Sequence, residues 1–165
     1  MLRDEAAISS EKMKKINLAE VVKSVVDDFN SVYDTKKSIA INFKTNGQNN
    51  YEILAIENRI EQIIANLLEN SISFSEKNQA IDVELAKKDE DKITLIVSDE
   101  GVGFNENDTN KIFNRFYSNR PEKFGEHSGL GLNIVKNLVE IHGGEITASN
   151  NEDKGARIEI NFPKA

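Results

Sequence analysis

The feature that most constrains this chain is how its most apolar strand ends. Residues 93–98 read Ile-Thr-Leu-Ile-Val-Ser, which puts Ile93, Leu95 and Val97 on one face of an extended segment. That segment runs directly into Asp99-Glu-Gly101-Val-Gly103. Upstream, Ile81, Val83 and Leu85 alternate in the same way, and a charged turn at residues 87–92 lies between, so the two segments predict a hairpin. An apolar hairpin face must be buried under a second layer, and a carboxylate followed by two glycines marks the place where backbone can approach a ligand closely.

The rest of the chain supplies that layer. Residues 1–11 are polar and read as a linker or the end of an upstream helix, and residues 12–18 as a short edge strand. Asn17, with Glu20 three residues later, has the spacing of a capping box. Leu18, Val21, Val22, Val25, Phe29, Val32 and Tyr33 then recur at helical spacing and predict an amphipathic helix. Ile39, Ile41 and Phe43 alternate as a half-buried strand, residues 45–50 form a turn cluster, and residues 51–56 make another strand. Later, Asn133, Lys136, Asn137 and Glu140 share one strip of a helix predicted over residues 130–141. His142 ends it against the helix dipole and Gly143-Gly144 supplies a left-handed stop. Segments 145–149 and 157–162 alternate as a closing hairpin. At 165 residues the chain buries one core, so residues 12–165 are expected to form one domain. The class is α+β: a two-layer α/β sandwich with a mixed, mostly antiparallel sheet of about five strands packed on three helices.

A helix predicted from about residue 57 to 74 carries the second informative pattern. Ile60, Ile63, Ile64, Leu67, Leu68 and Ile72 make one broad apolar face at about 100° per residue. Asn66, Asn70 and Ser73, with Arg59, line one edge of it, while Glu69 turns toward solvent. Asn costs helix propensity, about 0.7 kcal/mol against Ala. Two of them one turn apart beside the buried face therefore suggest a strip that lines a site.

Composition excludes several classes of function. A net charge of -7 with no basic block argues against nucleic acid. The absence of cysteine removes disulfides, thiolate metal sites and Cys nucleophiles, and two histidines make a His-rich metal site a poor expectation. No stretch approaches the roughly 20 apolar residues of a membrane span. The chain reads as cytoplasmic in character, with no membrane contact of its own, while leaving room for it to be one piece of a membrane-anchored protein.

Common nucleotide signatures do not fit. Neither Gly125 nor Gly129 and Gly131 is followed by the Lys-Ser/Thr of a P-loop. Glu106 and Ile134 stand where a dinucleotide fingerprint needs its third glycine, and Gly101 and Gly103 where an EF-hand needs ligands. A site assembled from separated pieces does fit. Asp99 can accept a hydrogen bond from the exocyclic amine of adenine, and Gly101 and Gly103 let backbone pass a flat base. Asn66 and Asn70 can present amide oxygens to a hydrated Mg²⁺, and the helix start at Gly129 and Gly131 can meet an anionic tail.

In this order, the pieces resemble the catalytic ATP-binding domain of sensor histidine kinases, within the ATPase superfamily that includes gyrase B, a major heat-shock chaperone and MutL. Asn66-Leu-Leu-Glu-Asn-Ser-Ile-Ser-Phe-Ser75 resembles the N box, Asp99-Glu-Gly-Val-Gly103 the first glycine box, Phe113-Asn-Arg-Phe-Tyr117 the F box and Ser128-Gly-Leu-Gly-Leu132 the second glycine box. The resemblance covers residues 12–163 and implies a Bergerat fold with ATP and Mg²⁺ as ligands. It implies that Asp99 binds the adenine amine, that Asn70 with Asn66 positions Mg²⁺ and phosphates, and that Arg115 and Tyr117 make phosphate-side and base-side contacts. It implies a mobile lid over residues 118–128, a nucleotide-binding role for Ser128, Gly129, Leu130, Gly131 and Leu132, and Phe113 and Phe116 as anchors of the lid base. Two positions depart from the pattern: Ser73 replaces a frequent Lys, and Ser118 a frequent Arg, leaving Arg120 and Lys123 as candidate replacement charges.

Hydrolytic branches of that superfamily carry a Glu general base one turn before the Mg-binding Asn, where this chain has Asn66, which cannot take a proton. That suits transfer of the γ-phosphoryl to an imidazole. Neither His127 (followed by Ser-Gly) nor His142 (followed by Gly-Gly) has the sequence context of the family's acceptor histidine. The implied partners are a His-containing dimerisation domain outside this chain and a downstream response regulator. A degenerate docking module without kinase activity and a serine-directed kinase of the anti-sigma-factor type are the competing readings.

Overall fold

The computed structural model describes residues 12–36, 38–47, 50–104, 112–114 and 131–165. Strand β1 (Lys14–Asn17) pairs antiparallel with β3 (Glu52–Ala55) in a two-stranded sheet. Between them, helix α1 (Leu18–Lys36) starts where the Asn17 side-chain oxygen accepts the Ala19 N–H at 3.0 Å, an N-cap bond to the second helical residue and not to Glu20 as the expected capping box requires. Leu18, Val21, Val22 and Val25 are buried as expected, and so is Val26. Val32 is 48% exposed, a departure from expectation: burial along this stripe fades after Val26, and Phe29 and Tyr33, stacked at 5.9 Å, are only half-buried.

The main sheet has the order β2-β4-β5-β7-β6, formed by β2 (Ala40–Thr45), β4 (Ala80–Asp89), β5 (Lys92–Ser98), β7 (Ala156–Pro163) and β6 (Glu145–Asn150). Among the described strands only β2 and β4 pair in parallel. One face of this sheet forms the core floor, with Val83 opposite Val97 and Val97 opposite Ile158. The β4–β5 hairpin is longer than expected. β4 continues through the charged residues to Asp89, with a register shift between Ala86 and Asp89, because the outer face of the sheet accepts charge at no desolvation penalty. On that outer face the Glu159 carboxylate receives Lys88 at 3.1 Å and Arg157 at 3.4 Å. Ile96, opposite Glu159, is buried there.

Above the sheet lie α1, α2 (Glu57–Ser73) and α3 (Gly131–Ile141). All six aliphatic residues predicted for the α2 face are buried. At about 1.5–3 kcal/mol for each buried side chain, that face outweighs the propensity cost of Asn66 and Asn70 several-fold. Helix α3 ends as expected. Gly143 has φ +75°, its N–H donates to Glu140 and the Gly144 N–H to Val139, both at 3.0 Å, which satisfies the last carbonyls.

His142 does more than meet the dipole. It is buried, its Nδ1 lies 2.7 Å from the Leu138 carbonyl oxygen, and its Nε2 accepts the Ile56 N–H at 3.2 Å. The Ile56 N–H must donate, so Nε2 carries the lone pair and Nδ1 the proton. Ile56 caps α2 without a side-chain hydrogen bond of its own. One imidazole therefore joins the end of α3 to the start of α2.

Candidate functional site

Asp99 stands one residue beyond β5 and is 3% exposed. Its Oδ1 accepts the Gly101 N–H at 2.9 Å and the Ala156 N–H at 3.1 Å, while its own N–H donates to the Ala156 carbonyl at 3.0 Å. Two backbone donors on one carboxylate oxygen fix the side chain's direction before any ligand arrives.

The loop after Asp99 is shaped by what lies against its glycines. A Cβ at Gly101 would collide with the Phe74 carbonyl oxygen, so this turn rests on the C-terminal end of α2, the helix of the two asparagines. Gly103 has φ +76°, and a Cβ there would come within 2.7 Å of the Asn150 side-chain oxygen. The sequence reading assigned these glycines to ligand approach; the structure shows that backbone and side-chain packing already require them.

Residues that the sequence reading missed hold this loop from the β6–β7 turn. Asn150 accepts the Phe104 N–H at 2.7 Å and donates to the Phe104 carbonyl at 3.0 Å. Asn151 donates to the Asp99 carbonyl at 3.0 Å. Gly155, at φ +99°, has its Cα against the Asp99 carbonyl, where any Cβ would collide. The only sequence signal for them was a polar Asn-Asn-Glu-Asp-Lys-Gly turn, which elementary rules read as solvated.

On α2, Asn70 is 5% exposed and its Nδ2 is buried with no hydrogen-bond partner among the described residues. A buried amide left in that state costs about 1–3 kcal/mol, so a ligand acceptor beside it is physically motivated. Asn66, one turn earlier, is half-buried. Ser73 is half-buried and its hydroxyl donates to the Glu69 carbonyl at 2.9 Å, an intrahelical bond that occupies its proton. Glu69 is exposed, as expected.

The second glycine box is described only at its end. Gly131 is the first residue of α3, and a Cβ there meets nothing within 4 Å among the described residues. The Leu132 side chain is buried in the core, so any ligand contact at that residue belongs to its backbone. Phe113 is buried as an anchor, and Asn133 of α3 donates to its carbonyl at 3.0 Å. Arg115, Phe116, Tyr117, Ser128, Gly129 and Leu130, together with all of residues 118–128 (Arg120, Lys123 and His127 included), lie outside the described residues.

An open cleft of about 830 Å³ borders Asp99 from the outer side of the sheet, lined by Asp82, Glu100, Glu152, Asp153 and Arg157 among others. Neither Asn66, Asn70 nor Gly131 lines it, and its acidic wall would repel a polyphosphate. No group of three or more His, Cys, Asp or Glu able to hold a metal occurs among the described residues. Any cation there would depend on amide oxygens and the ligand's own anionic groups.

Residues 55–165 match the family model described as histidine kinase-, DNA gyrase B-, and HSP90-like ATPase. The sensor protein ChvG of Agrobacterium fabrum is 35% identical over an alignment that takes in 99% of this chain and 29% of that protein. The chain thus spans less than a third of that relative. The nucleotide-free catalytic domain of histidine kinase ThkA superposes with a TM-score of 0.80 at 27% identity, over 93% of this chain and 97% of that one. ThkA in complex with the response regulator TrrA superposes at 0.77 with 24% identity, over 99% of this chain and 46% of that one, a likeness of fold.

Proposed function

Because the chain belongs to the family of histidine kinase-, DNA gyrase B-, and HSP90-like ATPases, we propose that it is the ATP-binding catalytic part of a sensor histidine kinase. In this reading it passes the γ-phosphoryl of ATP to a histidine on a dimerisation domain outside the chain. The observation that carries the reading is the pairing of a buried, backbone-held Asp99 with a glycine turn seated on the end of the helix that holds an unsatisfied Asn70 amide. Asp99 accepts from the adenine amine, and the backbone of the Gly101–Gly103 turn, held by Phe74 and Asn150, passes beside the base. The Asn70 amide meets the triphosphate and its metal, with Asn66 beside it. The open Gly131 end of α3 receives the phosphate tail, with Arg115, Tyr117, Ser128, Gly129, Leu130 and the Leu132 backbone completing the site.

The donor set fits Mg²⁺. Asn66 and Asn70 are neutral amides, and Mg²⁺ takes one or two protein ligands when phosphates and waters supply the rest. When bound, the ion neutralises charge on the phosphate oxygens. Asn66 cannot accept a proton, so no group at that position activates water, and transfer to an imidazole outcompetes hydrolysis.

In this reading residues 1–11 are a linker or the end of an upstream dimerisation helix, residues 12–165 form the catalytic domain, and the phosphoryl group passes onward to a response regulator, which the ThkA–TrrA complex supports. Among the described residues no helix is long and apolar enough to cross a membrane. The likeness to the sensor protein ChvG supports placing this segment in the cytoplasmic part of a membrane sensor. The Ser73 hydroxyl, bound within its own helix, favours a second reading: a docking module with little nucleotide affinity.

Adding a dimerisation domain bearing an acceptor histidine separates these readings. The kinase reading expects ATP-dependent, acid-labile phosphate on that histidine. Acid-stable phosphate on serine indicates the serine-directed branch, and no transfer and no nucleotide-induced thermal shift indicate the docking module.

A further inference from the structure

The β6–β7 hairpin is remote in sequence from Asp99, yet its last strand residue reaches the candidate base loop with both ends of one amide. We propose that Asn150 is a positioning residue for base recognition: its carboxamide pairs with both backbone groups of Phe104 and holds the loop from Asp99 to Phe104 in its binding geometry.

This rests on the reading of Asp99 given above, and on three observations of its own. The two bonds, at 2.7 and 3.0 Å, reproduce the donor-acceptor pair of a strand ladder with a side chain. Gly103 sits at φ +76° with its Cα turned toward the Asn150 oxygen, so the amide fills the space a side chain at residue 103 would take. The Asn150 backbone belongs to β6, paired with Ala156, and Ala156 donates to Asp99 Oδ1. Loop entry and loop exit are thereby held by two neighbouring residues of one hairpin. Gly101 rests on the Phe74 carbonyl in between, and the Asn151 and Gln79 side chains donate to the Asp99 and Glu100 carbonyls at 3.0 Å each, so the start and middle of the loop have their own supports and Asn150 is the side chain that holds its exit.

The geometry assigns distinct consequences to its loss. Without the amide, the Phe104 N–H and carbonyl lose these two bonds, and the exit of the loop is loosened while Asp99 keeps its bonds to Gly101 and Ala156. The base is then met by a correctly placed carboxylate on a loosened loop. Affinity for adenine nucleotide falls, and preference for adenine over guanine narrows. A merely structural asparagine would lower thermal stability and leave the base preference unchanged.

The test uses the 165-residue chain and its Asn150→Ala variant. Hydrogen exchange at the Phe104 amide is read by NMR, and binding of non-hydrolysable ATP and GTP analogues with Mg²⁺ by calorimetry. Expected are faster Phe104 exchange, an ATP-analogue Kd raised about tenfold, in line with two lost hydrogen bonds, and a smaller adenine-to-guanine ratio. Faster exchange with unchanged affinity and preference overturns the inference, as does unchanged exchange. If Asn150→Ala does not fold, Asn150→Asp replaces it. That variant retains the acceptor for the Phe104 N–H and loses the donor, and its expected Kd lies between wild type and tenfold; an unchanged Kd and preference in it overturn the inference. A wild-type chain without adenine preference instead overturns the reading of Asp99, and this inference falls with it.

Discussion

The two glycine regions of the site look alike in sequence and are built on different principles. Around Asp99 every glycine is closed in: Gly101 by the Phe74 carbonyl, Gly103 by Asn150, and Gly155 from the far hairpin by the Asp99 carbonyl. At the start of α3, Gly131 faces open space among the described residues. The first region is a braced platform whose glycines the fold itself requires. At the second, no described residue lies where a Cβ of Gly131 would go, beside a helix N-terminus whose N–H groups suit an anion. A glycine in a motif can thus serve packing or binding, and the room a Cβ would find distinguishes the two.

Substitutions can break that comparison, starting with the largest effect. Gly155→Ala places a Cβ into the Asp99 carbonyl at a left-handed φ, and the expected loss is about 3 kcal/mol or more, read by chemical denaturation. A variant as stable as wild type would mean that the platform is not braced. Gly101→Ala meets the Phe74 carbonyl without a left-handed φ, so a loss of about 1–3 kcal/mol is expected. His142→Ala tests the link between the two regions' helices. It removes the acceptor for the Ile56 N–H and leaves that group buried, with an expected cost of about 1–3 kcal/mol. The ¹⁵N signals of the wild-type imidazole should report a proton on Nδ1, and the opposite tautomer would refute this geometry. The smallest stability effect belongs to Gly131→Ala, within about 1 kcal/mol of wild type, with a measurable loss of nucleotide affinity. A large unfolding effect there would show that the two regions are alike after all.

Sequence pattern revealed most of the architecture, because burial imposes period. The six aliphatics of α2, the alternation in β4, β5 and β7, and the Gly143 stop of α3 all follow from local rules. Long-range pairing was less legible. That β2 lies parallel to β4, with β3 paired instead to β1, depends on which edges remain free after α2 crosses, and no local spacing records this. The charged end of β4 read as turn because its outer face is wet. In the site, Asp99 and the asparagines were visible through their positions at the end of a strand and along a helix edge. Asn150, Asn151 and Gly155 were hidden because a polar turn that braces a loop and one that only meets water have the same composition. His142 was visible as a helix end, but its reach to Ile56 spans 86 residues and leaves no local trace.

Calorimetric titration of the chain with a non-hydrolysable ATP analogue and Mg²⁺, wild type against Asp99→Asn, tests the central claim most directly. The amide keeps an oxygen for the Gly101 and Ala156 N–H groups but removes the charge that meets the adenine amine. A hydrogen bond to a charged group contributes about 1.5–3 kcal/mol, so the account predicts saturable binding to wild type and a Kd at least tenfold higher in the folded variant. Equal affinity in the two proteins, or no binding to wild type, would contradict it.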